Sequence, residues 1–285
     1  MAILLAVVAA AGWGAADYYG GAASRRDTSV FVIVAASELL GVVLLIPALA
    51  AHGITPPDNP RLLLAAVAGI AVTCELSLIY CALSRGEAFV TAPVGALGAA
   101  VAVTVGLVGG DHLDLAIVAG LIFALVGGAL SAWTAPAGKT FRATMRSAAV
   151  CLTAAVAVGT MLTCLHAAGR VDPYWATAIV HISTALSAAL AAFLANRRSS
   201  HSGLPRRPQL PTLALIAVVG VGGDLAYAVA SRQGALSIVS AVSSLYPVTT
   251  IALARLLQHR RATRIQLLGI AVALLGAALL GAATR

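Results

Sequence analysis

Long apolar segments separated by short polar breaks run along the whole chain. Proline, glycine and clusters of charged residues mark the breaks, and each segment has the roughly 20 apolar residues that a helix needs to cross a bilayer. Several loops are very short, so neighbouring helices should run antiparallel and pack together. The pattern predicts ten transmembrane helices, at 2–22, 29–51, 61–83, 88–108, 114–134, 145–168, 174–195, 211–232, 236–257 and 263–283.

One stretch of the sequence occurs twice. Residues 80–89, YCALSRGEAF, return as residues 227–236, YAVASRQGAL, 147 positions later. A repeat of this period in so hydrophobic a chain is typical of transporters built from two like halves. Five helices per half is an odd number, so the second half must enter the membrane from the opposite side. The predicted fold is all-α, with two inverted five-helix repeats at 1–135 and 145–285 that a linker at 136–144 joins.

Composition places the chain in the membrane. Hydrophobic residues make up 60% of it and charged residues 10%, far from the composition of soluble domains. The first segment has no basic start and is too long and glycine-rich for a signal peptide, so it is interpreted as a mature transmembrane helix. The four cysteines lie inside apolar runs without metal-binding spacing, which favours packing roles. No metal and no cofactor is expected.

Basic residues are distributed unequally between the two sides of the predicted bundle. Of the 18 lysines and arginines, fourteen fall in odd-numbered loops and four on the opposite side. Cytoplasmic loops carry this kind of excess, so the odd-numbered loops of a multi-pass protein of the cell membrane should be cytoplasmic and both termini outside. The same basic excess explains the net charge of +8, so nucleic-acid binding is not inferred from it; attraction of these loops to anionic lipid headgroups is the simpler interpretation.

Three motifs in the second half resemble those of the EamA-type transporters of the drug/metabolite transporter superfamily. They are SRQGALS at 231–237, SSLYPV at 243–248 and QLLGI at 266–270, and the pair Trp13-Gly14 in the first helix also fits. The resemblance covers essentially the whole chain. It implies ten helices in a five-plus-five repeat and secondary transport of small molecules.

The sequence departs from that family in two ways. The family usually has Gly-Glu before the last helix of each repeat; Gly110-Asp111 approximates this pair in the first half, whereas His259-Arg260 replaces it in the second. Ten-helix members generally have cytoplasmic termini, whereas the loop charges here predict the reverse. A reporter fused to the C-terminus and active only in the cytoplasm distinguishes the two orientations.

Four acidic residues fall well inside the predicted spans, away from the span ends. They are Asp17, Glu38, Glu75 and Asp224. A charge at the bilayer centre costs roughly 2.5–3.5 kcal/mol on insertion scales, so such residues are candidates for function, although each can also be a neutral, hydrogen-bonded acid. Glu75 and Asp224 occupy the same helix of the two repeats and should line a shared cavity near the midplane. Acids in a low dielectric tend to hold a proton, which is the chemistry of a proton-coupled carrier.

One histidine and two aromatic residues extend this candidate site. His181 lies close to the repeat equivalent of Glu38, and a histidine–carboxylate contact there would suit a proton relay. The alternative is a histidine bonded to a backbone carbonyl. Trp13 and Tyr80 can stack on a flat or cationic substrate, or serve only in aromatic packing.

A proline near the middle of the ninth span adds further candidates. Pro247 removes a backbone N–H and should free the carbonyl of Ser243. Tyr246 and several serine and threonine hydroxyl groups flank Pro247. The ninth span is therefore the most polar of the predicted spans that have no ionisable residue near the middle of the bilayer. A hinge or a substrate-facing surface is one reading of it, and a simple packing kink is the other.

The function predicted from these features is secondary active transport of small metabolites or amino acids, as proton-coupled export by alternating access. Its partners are a small-molecule substrate, protons and membrane lipids, and the protein is expected as a monomer or homodimer. The chain has no GxxxxGK[ST], HExxH or GxSxG motif, so neither an ATPase nor a membrane enzyme is favoured. A lipid or lipid-linked sugar flippase and a cationic drug efflux carrier remain alternatives.

Overall fold

A computed structural model describes residues 1–24, 28–53, 55–84, 91–111, 114–131, 141–196, 209–258 and 263–283. Throughout these ranges the regular structure is helical, without strands. Besides a short 3-10 helix at Pro60–Leu62, the elements are α1 (Ala2–Ala23), α2 (Val30–His52), α3 (Leu63–Ser84), α4 (Thr91–Val108), α5 (Leu115–Ser131), α6 (Phe141–Gly169), α7 (Pro173–Asn196), α8 (Leu210–Ser231), α9 (Leu236–Ser243), α10 (Tyr246–Gln258) and α11 (Arg264–Ala283).

Seven segments of the described chain are long and apolar enough to cross a membrane, with α9 and α10 counted as one segment. Three further apolar helical stretches are shorter, Leu97–Val108, Leu115–Leu130 and Arg264–Leu280. The all-helical membrane fold predicted from the sequence is confirmed at this level. The count of ten spans and the inverted repeat stay predictions.

Helix ends agree with the predicted boundaries to within a few residues, apart from two differences. The first is that α6 begins at Phe141, so residues 141–144 of the predicted linker are helical. The second is that the predicted span 236–257 consists of two helices, α9 and α10, interrupted at residues 244–245. The interruption lies beside the interior site described below.

Most residues that carry the predicted charge asymmetry lie outside the described part of the chain. The same holds for residues 85–89 of the repeated motif, for 136–140 of the predicted linker and for His259. The orientation of the loops therefore stays a prediction. The basic residues outside the described ranges are Arg25, Arg26, Arg85, Lys139, Arg197, Arg198, Arg206, Arg207, Arg260, Arg261 and Arg285.

The main helix contacts join the first part of the chain to the second. Helix α1 packs on α8, α3 on α6, α2 on α7 and α5 on α11. Glycine permits the closest of these approaches: a Cβ added at Gly127 of α5 would lie 2.2 Å from the backbone nitrogen of Ala273, and one at Gly276 of α11 would lie 2.3 Å from that of Ala124. Small residues bring backbones together in this way where lipid provides no hydrophobic force between helices.

Apolar and polar side chains are placed as membrane proteins require. Large aliphatic side chains face outwards, among them Leu39, Ile46, Leu186, Leu190, Leu268 and Leu274. Ionisable side chains are buried inside the bundle, among them Asp17, Glu38, Glu75, His181 and Asp224. Burial of so many ionisable groups is expensive, so their common location defines the site to examine.

Candidate substrate and proton site

Five of the buried ionisable residues, Asp17, Glu38, Glu75, His181 and Asp224, surround one cavity of about 50 Å³ in the interior of the bundle. Helices α1, α2 and α3 from the first part of the chain contribute to it, as do α6, α7, α8 and α10 from the second. The lining residues are Trp13, Ala16, Asp17, Glu38, Val72, Glu75, Leu76, Tyr80, Met161, His181, Ile216, Gly220, Asp224 and Tyr246. Polar groups on an otherwise apolar wall are typical of a small-molecule site.

Eight of the ten residues predicted from the sequence line this cavity. The structure brings together Trp13, Asp17, Glu38, Glu75, Tyr80, His181, Asp224 and Tyr246. The two others, Ser243 and Pro247, do not belong to the described lining. The predicted proximity of Glu75 and Asp224 in one cavity is thus seen in the structure, whereas the roles of these residues stay predictions.

His181 is the centre of a contact between three helices. Its Nδ1 lies 2.5 Å from Oε2 of Glu38 on α2, and its Nε2 lies 3.3 Å from Oδ2 of Asp224 on α8. The imidazole is almost completely buried, with 1% of the residue exposed. A neutral imidazole has one N–H, so contact with two carboxyl groups needs either an imidazolium or a carboxyl group that keeps its proton. Hydrogen bonds at both ring nitrogens would thus require the triad to hold at least one more proton than its fully deprotonated form.

Trp13 connects this triad to α1. Its indole Nε1 donates to Oδ1 of Asp224 at 2.7 Å, and its ring packs on Tyr227 with centroids 5.3 Å apart. The two oxygens of Asp224 thus have different neighbours, an indole N–H and an imidazole. Trp13 fixes the orientation of the carboxyl group, because an indole N–H can only donate. Packing, which was the alternative for Trp13, is part of its role.

Gly41 makes room for the imidazole on α2. It lies one helical turn after Glu38, on the same face. A Cβ at this position would lie 2.8 Å from Nδ1 of His181, so any side chain there would push the ring away. Gly41 was not predicted from the sequence, because a glycine in an apolar helix looks like any other packing residue.

Hydrogen bonds between α3 and α7 set the relative depth of Glu75 and His181. Thr73 donates to the carbonyl of Thr184 at 3.2 Å, and Thr184 donates to that of Gly69 at 3.0 Å. Thr73 precedes Glu75 by two residues, and Thr184 follows His181 by three. These bonds hold the two helices in one register, so the carboxyl group and the imidazole open onto the same cavity.

Asp17 and Glu75 differ from the two acids of the triad. Both line the cavity and both are buried. Neither forms a hydrogen bond or an ion pair with another residue in the described ranges, whereas Glu38 and Asp224 each contact His181. Buried acids without protein partners retain full hydrogen-bonding capacity for a proton, a water molecule or a ligand.

Two tyrosines of the cavity use their hydroxyl groups differently. The Tyr80 hydroxyl donates to the carbonyl of Ala16 at 3.3 Å and so connects α3 to α1. The Tyr246 hydroxyl is buried and has no hydrogen-bond partner within the described residues. Buried hydroxyl groups rarely stay unsatisfied in native structures, so Tyr246 is a candidate to bind something in the cavity.

The interruption between α9 and α10 lies directly before Pro247, the proline that was predicted to free the carbonyl of Ser243 in this span. Pro247 is the second residue of α10, in the first helical turn, where a missing N–H interrupts no helical hydrogen bond. The choice between a hinge or substrate-facing surface and a simple packing kink stays a prediction. Ser243, the last residue of α9, donates to the carbonyl of Ala6 at 3.3 Å, which gives it a contact with α1 and no place in the lining.

Gly220 is a lining residue that was not predicted from the sequence. A Cβ added there would have no atom within 4 Å, so the open space beside α8 continues into the cavity. Gly222 and Gly223 follow two and three residues later; Gly222 also meets open space, whereas Gly223 packs against Trp13. Only the direction in which each glycine faces separates these roles, and nothing in the local sequence specifies that direction.

The fold and the site together define a multi-pass membrane protein with an acidic interior cavity. The family model for EamA-like transporters matches residues 145–282, which contain α7 to α10 and most of α6 and α11. This match covers just under half of the chain and agrees with the resemblance to the EamA-type transporters of the drug/metabolite transporter superfamily that the motifs of the second half indicated. It indicates a membrane transporter of that type.

Known structures agree with this assignment at the level of the fold. One solved crystal structure superimposes with a TM-score of 0.74 at 19% sequence identity, over 98% of this chain and 97% of the other. An identity this low establishes the fold and says nothing about the substrate. None of the curated proteins matches the chain.

Proposed function

We propose that the protein is a proton-coupled secondary transporter that exports small molecules across the cell membrane by alternating access. The observation that carries the proposal is the buried Glu38–His181–Asp224 contact on the wall of the interior cavity. It joins α2 of the first half to α7 and α8 of the second. A proton shared by three helices from both halves is sensitive to any relative movement of the halves.

The architecture that we propose for this transport is ten transmembrane helices in two inverted repeats, 1–135 and 145–285. The pattern of contacts supports the proposal. Exchanging the halves converts the α1–α8 contact into the α3–α6 contact, and it maps α2–α7 and α5–α11 onto themselves. Such a pattern is expected of two like halves around one axis, with the binding site where they meet.

In the proposed cycle, substrate and protons bind the same cavity in alternation. When the cavity faces the side of higher proton activity, the acids take up protons and the substrate is released. When it faces the other side, the substrate replaces the protons. Movement of the halves would separate Glu38 from His181, so protonation of the triad and the direction of opening are coupled. No cofactor and no enzymatic step is needed.

The orientation that we propose has the odd-numbered loops in the cytoplasm. Under this assignment the C-terminus lies outside, and the turn that connects α6 and α7 lies on the same side. The reporter fusion described above tests it: activity of a cytoplasm-dependent reporter at the C-terminus would reverse the orientation. The transport chemistry of the cavity would be unaffected by that result.

A tolerance screen followed by reconstitution tests the function. Cells that overexpress the wild type or the double variant Glu75→Gln/Asp224→Asn are challenged with amino acids, purines, sugars and organic cations. A solute tolerated only with the wild type is then measured in proteoliposomes under an imposed pH step. We expect the pH step to drive its movement in the wild type and not in the variant. Equal responses of the two proteins would contradict proton coupling through these acids.

A further inference from the structure

We infer that the cavity binds a compact organic cation, a protonated amine or quaternary ammonium group with a small apolar body. The inference rests on the proposed function and names the class of substrate. Four carboxyl groups line the cavity, from Asp17, Glu38, Glu75 and Asp224, against one imidazole. No lysine or arginine is present among the described lining residues. Even with a charged imidazole, full ionisation leaves the wall negative.

The second observation is that part of this wall lacks protein partners. The carboxyl groups of Asp17 and Glu75 make no hydrogen bond or ion pair to the described residues. The hydroxyl group of Tyr246, which lines the same cavity, is buried at 3% exposure and has no partner there either. Two acids and one hydroxyl around a single space are suited to surround one positive group.

The same geometry disfavours substrates that carry a carboxylate or phosphate. Such a group needs a cation or several N–H donors. The one imidazole in the lining already has a carboxyl group beside each nitrogen, and the indole N–H of Trp13 is bound to Asp224. A zwitterionic amino acid would therefore bring its carboxylate against carboxylates. Among the metabolites and amino acids predicted from the sequence, the cavity therefore favours amines without an acid group.

Aromatic rings and the cavity volume complete the description of the ligand. Trp13, Tyr80 and Tyr246 contribute to the wall, and aromatic faces attract ammonium groups. The apolar part of the wall, with Val72, Leu76, Met161 and Ile216, suits short alkyl substituents. A water molecule needs roughly 10–15 Å³ of such space, so a cavity of about 50 Å³ accepts a group equivalent to a few waters. The expected ligand is correspondingly small.

Three probes of nearly equal shape test the role of charge. Choline carries one positive charge, 3,3-dimethylbutan-1-ol is its uncharged carbon analogue, and glycine betaine adds a carboxylate. Each is titrated calorimetrically into the purified full-length protein in detergent. We expect choline to bind at least about tenfold more tightly than either of the other two. Equal or tighter binding of glycine betaine or of the uncharged alcohol would overturn the inference.

Variants then locate the binding. Asp17→Asn and Glu75→Gln, singly, should each weaken choline binding about tenfold or more, because each removes a negative charge from the cavity. Asp58→Asn is the matched control, since Asp58 is an acid that is exposed in the connection between α2 and α3. Unchanged choline affinity in both cavity variants would contradict the assigned site. If a cavity variant does not fold, the order of the affinities of the three probes for the wild type still tests whether the cavity selects a cation.

The two proposals fail in distinguishable ways. If choline binds selectively but no solute responds to a pH step in proteoliposomes, proton coupling is wrong and the cation site stands. If an uncharged or anionic solute is driven by the pH step and choline does not bind, the cation site is wrong and coupled transport stands.

Discussion

Two histidine–carboxylate contacts join the first half of the chain to the second, in opposite surroundings. His181 lies between two carboxyl groups in the buried cavity. The His52 side chain is 39% exposed, lies 2.8 Å from Oδ2 of Asp172 at one end of the bundle, and stacks on Tyr174 with ring centroids 4.4 Å apart. The residue types are the same, so the difference between the contacts is one of environment.

Burial changes what each contact contributes. Exposed ion pairs contribute about 0–1 kcal/mol to the stability of the folded protein, because water and salt screen them and because the side chains lose entropy. Removing one partner of a buried pair costs about 3–5 kcal/mol, since an uncompensated charge is left behind. The residue types of a histidine–carboxylate contact therefore do not reveal its contribution by themselves. The surroundings decide whether it is a peripheral contact or the centre of a site.

The largest effect is expected from His181→Ala. It leaves two carboxyl groups facing an empty space, so we expect loss of pH-driven transport and a decrease in stability of about 3 kcal/mol or more, unless both acids become protonated. Transport in proteoliposomes and denaturant unfolding measure the two effects. His166→Ala is the control, because His166 is also buried but does not line the cavity. Similar transport by the two variants would remove the proposed role of the triad.

Gly220→Leu should fill the cavity without disturbing the triad directly. Its side chain enters space that is open in the wild type, so we expect choline binding to weaken about tenfold or more in calorimetric titration. Gly222→Leu makes the same change in the same helix, at an exposed position that also has open space. Equal losses in the two variants would indicate an effect on the helix and not on the cavity.

Gly41→Ala tests how precisely the imidazole must be placed. The new Cβ would meet Nδ1 of His181 at 2.8 Å, so the ring has to shift from Glu38. We expect a partial loss of pH-driven transport and destabilisation of about 1–3 kcal/mol, as for other overpacked interiors. Gly222→Ala, which meets no atom, is the matched control. Wild-type transport by Gly41→Ala would mean that the close fit of the ring is unimportant.

The smallest effect is expected from the His52–Asp172 contact, in which the Asp172 carboxyl is buried but the His52 side chain is exposed. His52→Ala should change stability by about 0–1 kcal/mol and leave transport intact. Asp172→Ala should cost about 0.5–2 kcal/mol more, because Oδ1 of Asp172 also accepts from the backbone N–H groups of Tyr174 and Trp175 at the start of α7. Asp172→Asn keeps that acceptor and should behave like His52→Ala. A large loss of transport in His52→Ala would place a functional element at this end of the bundle.

Much of the site was accessible from the sequence because ionisable residues inside apolar spans are so unusual. Glu75 and Asp224 were found in this way, and the structure places both on one cavity. Gly41 and Gly220 were missed, since their importance lies in the atoms opposite them. The interruption of the ninth span at residues 244–245 lies directly before Pro247, where a proline disfavours a continuous helix, whereas the role of Pro247 in transport stays a prediction.

The sequence by itself determined where the helices lie, that they belong in a membrane, and which residues are too costly to bury there without a reason. Length and hydrophobicity suffice for this, because the bilayer requires internally hydrogen-bonded helices of a minimum length. Only the tertiary structure decided which faces meet. Lipid and protein interior are equally apolar, so a helix that is hydrophobic all round carries no pattern that specifies its rotation. The pairing of His181 with Glu38 and Asp224, and the isolation of Asp17 and Glu75, follow from that rotation alone.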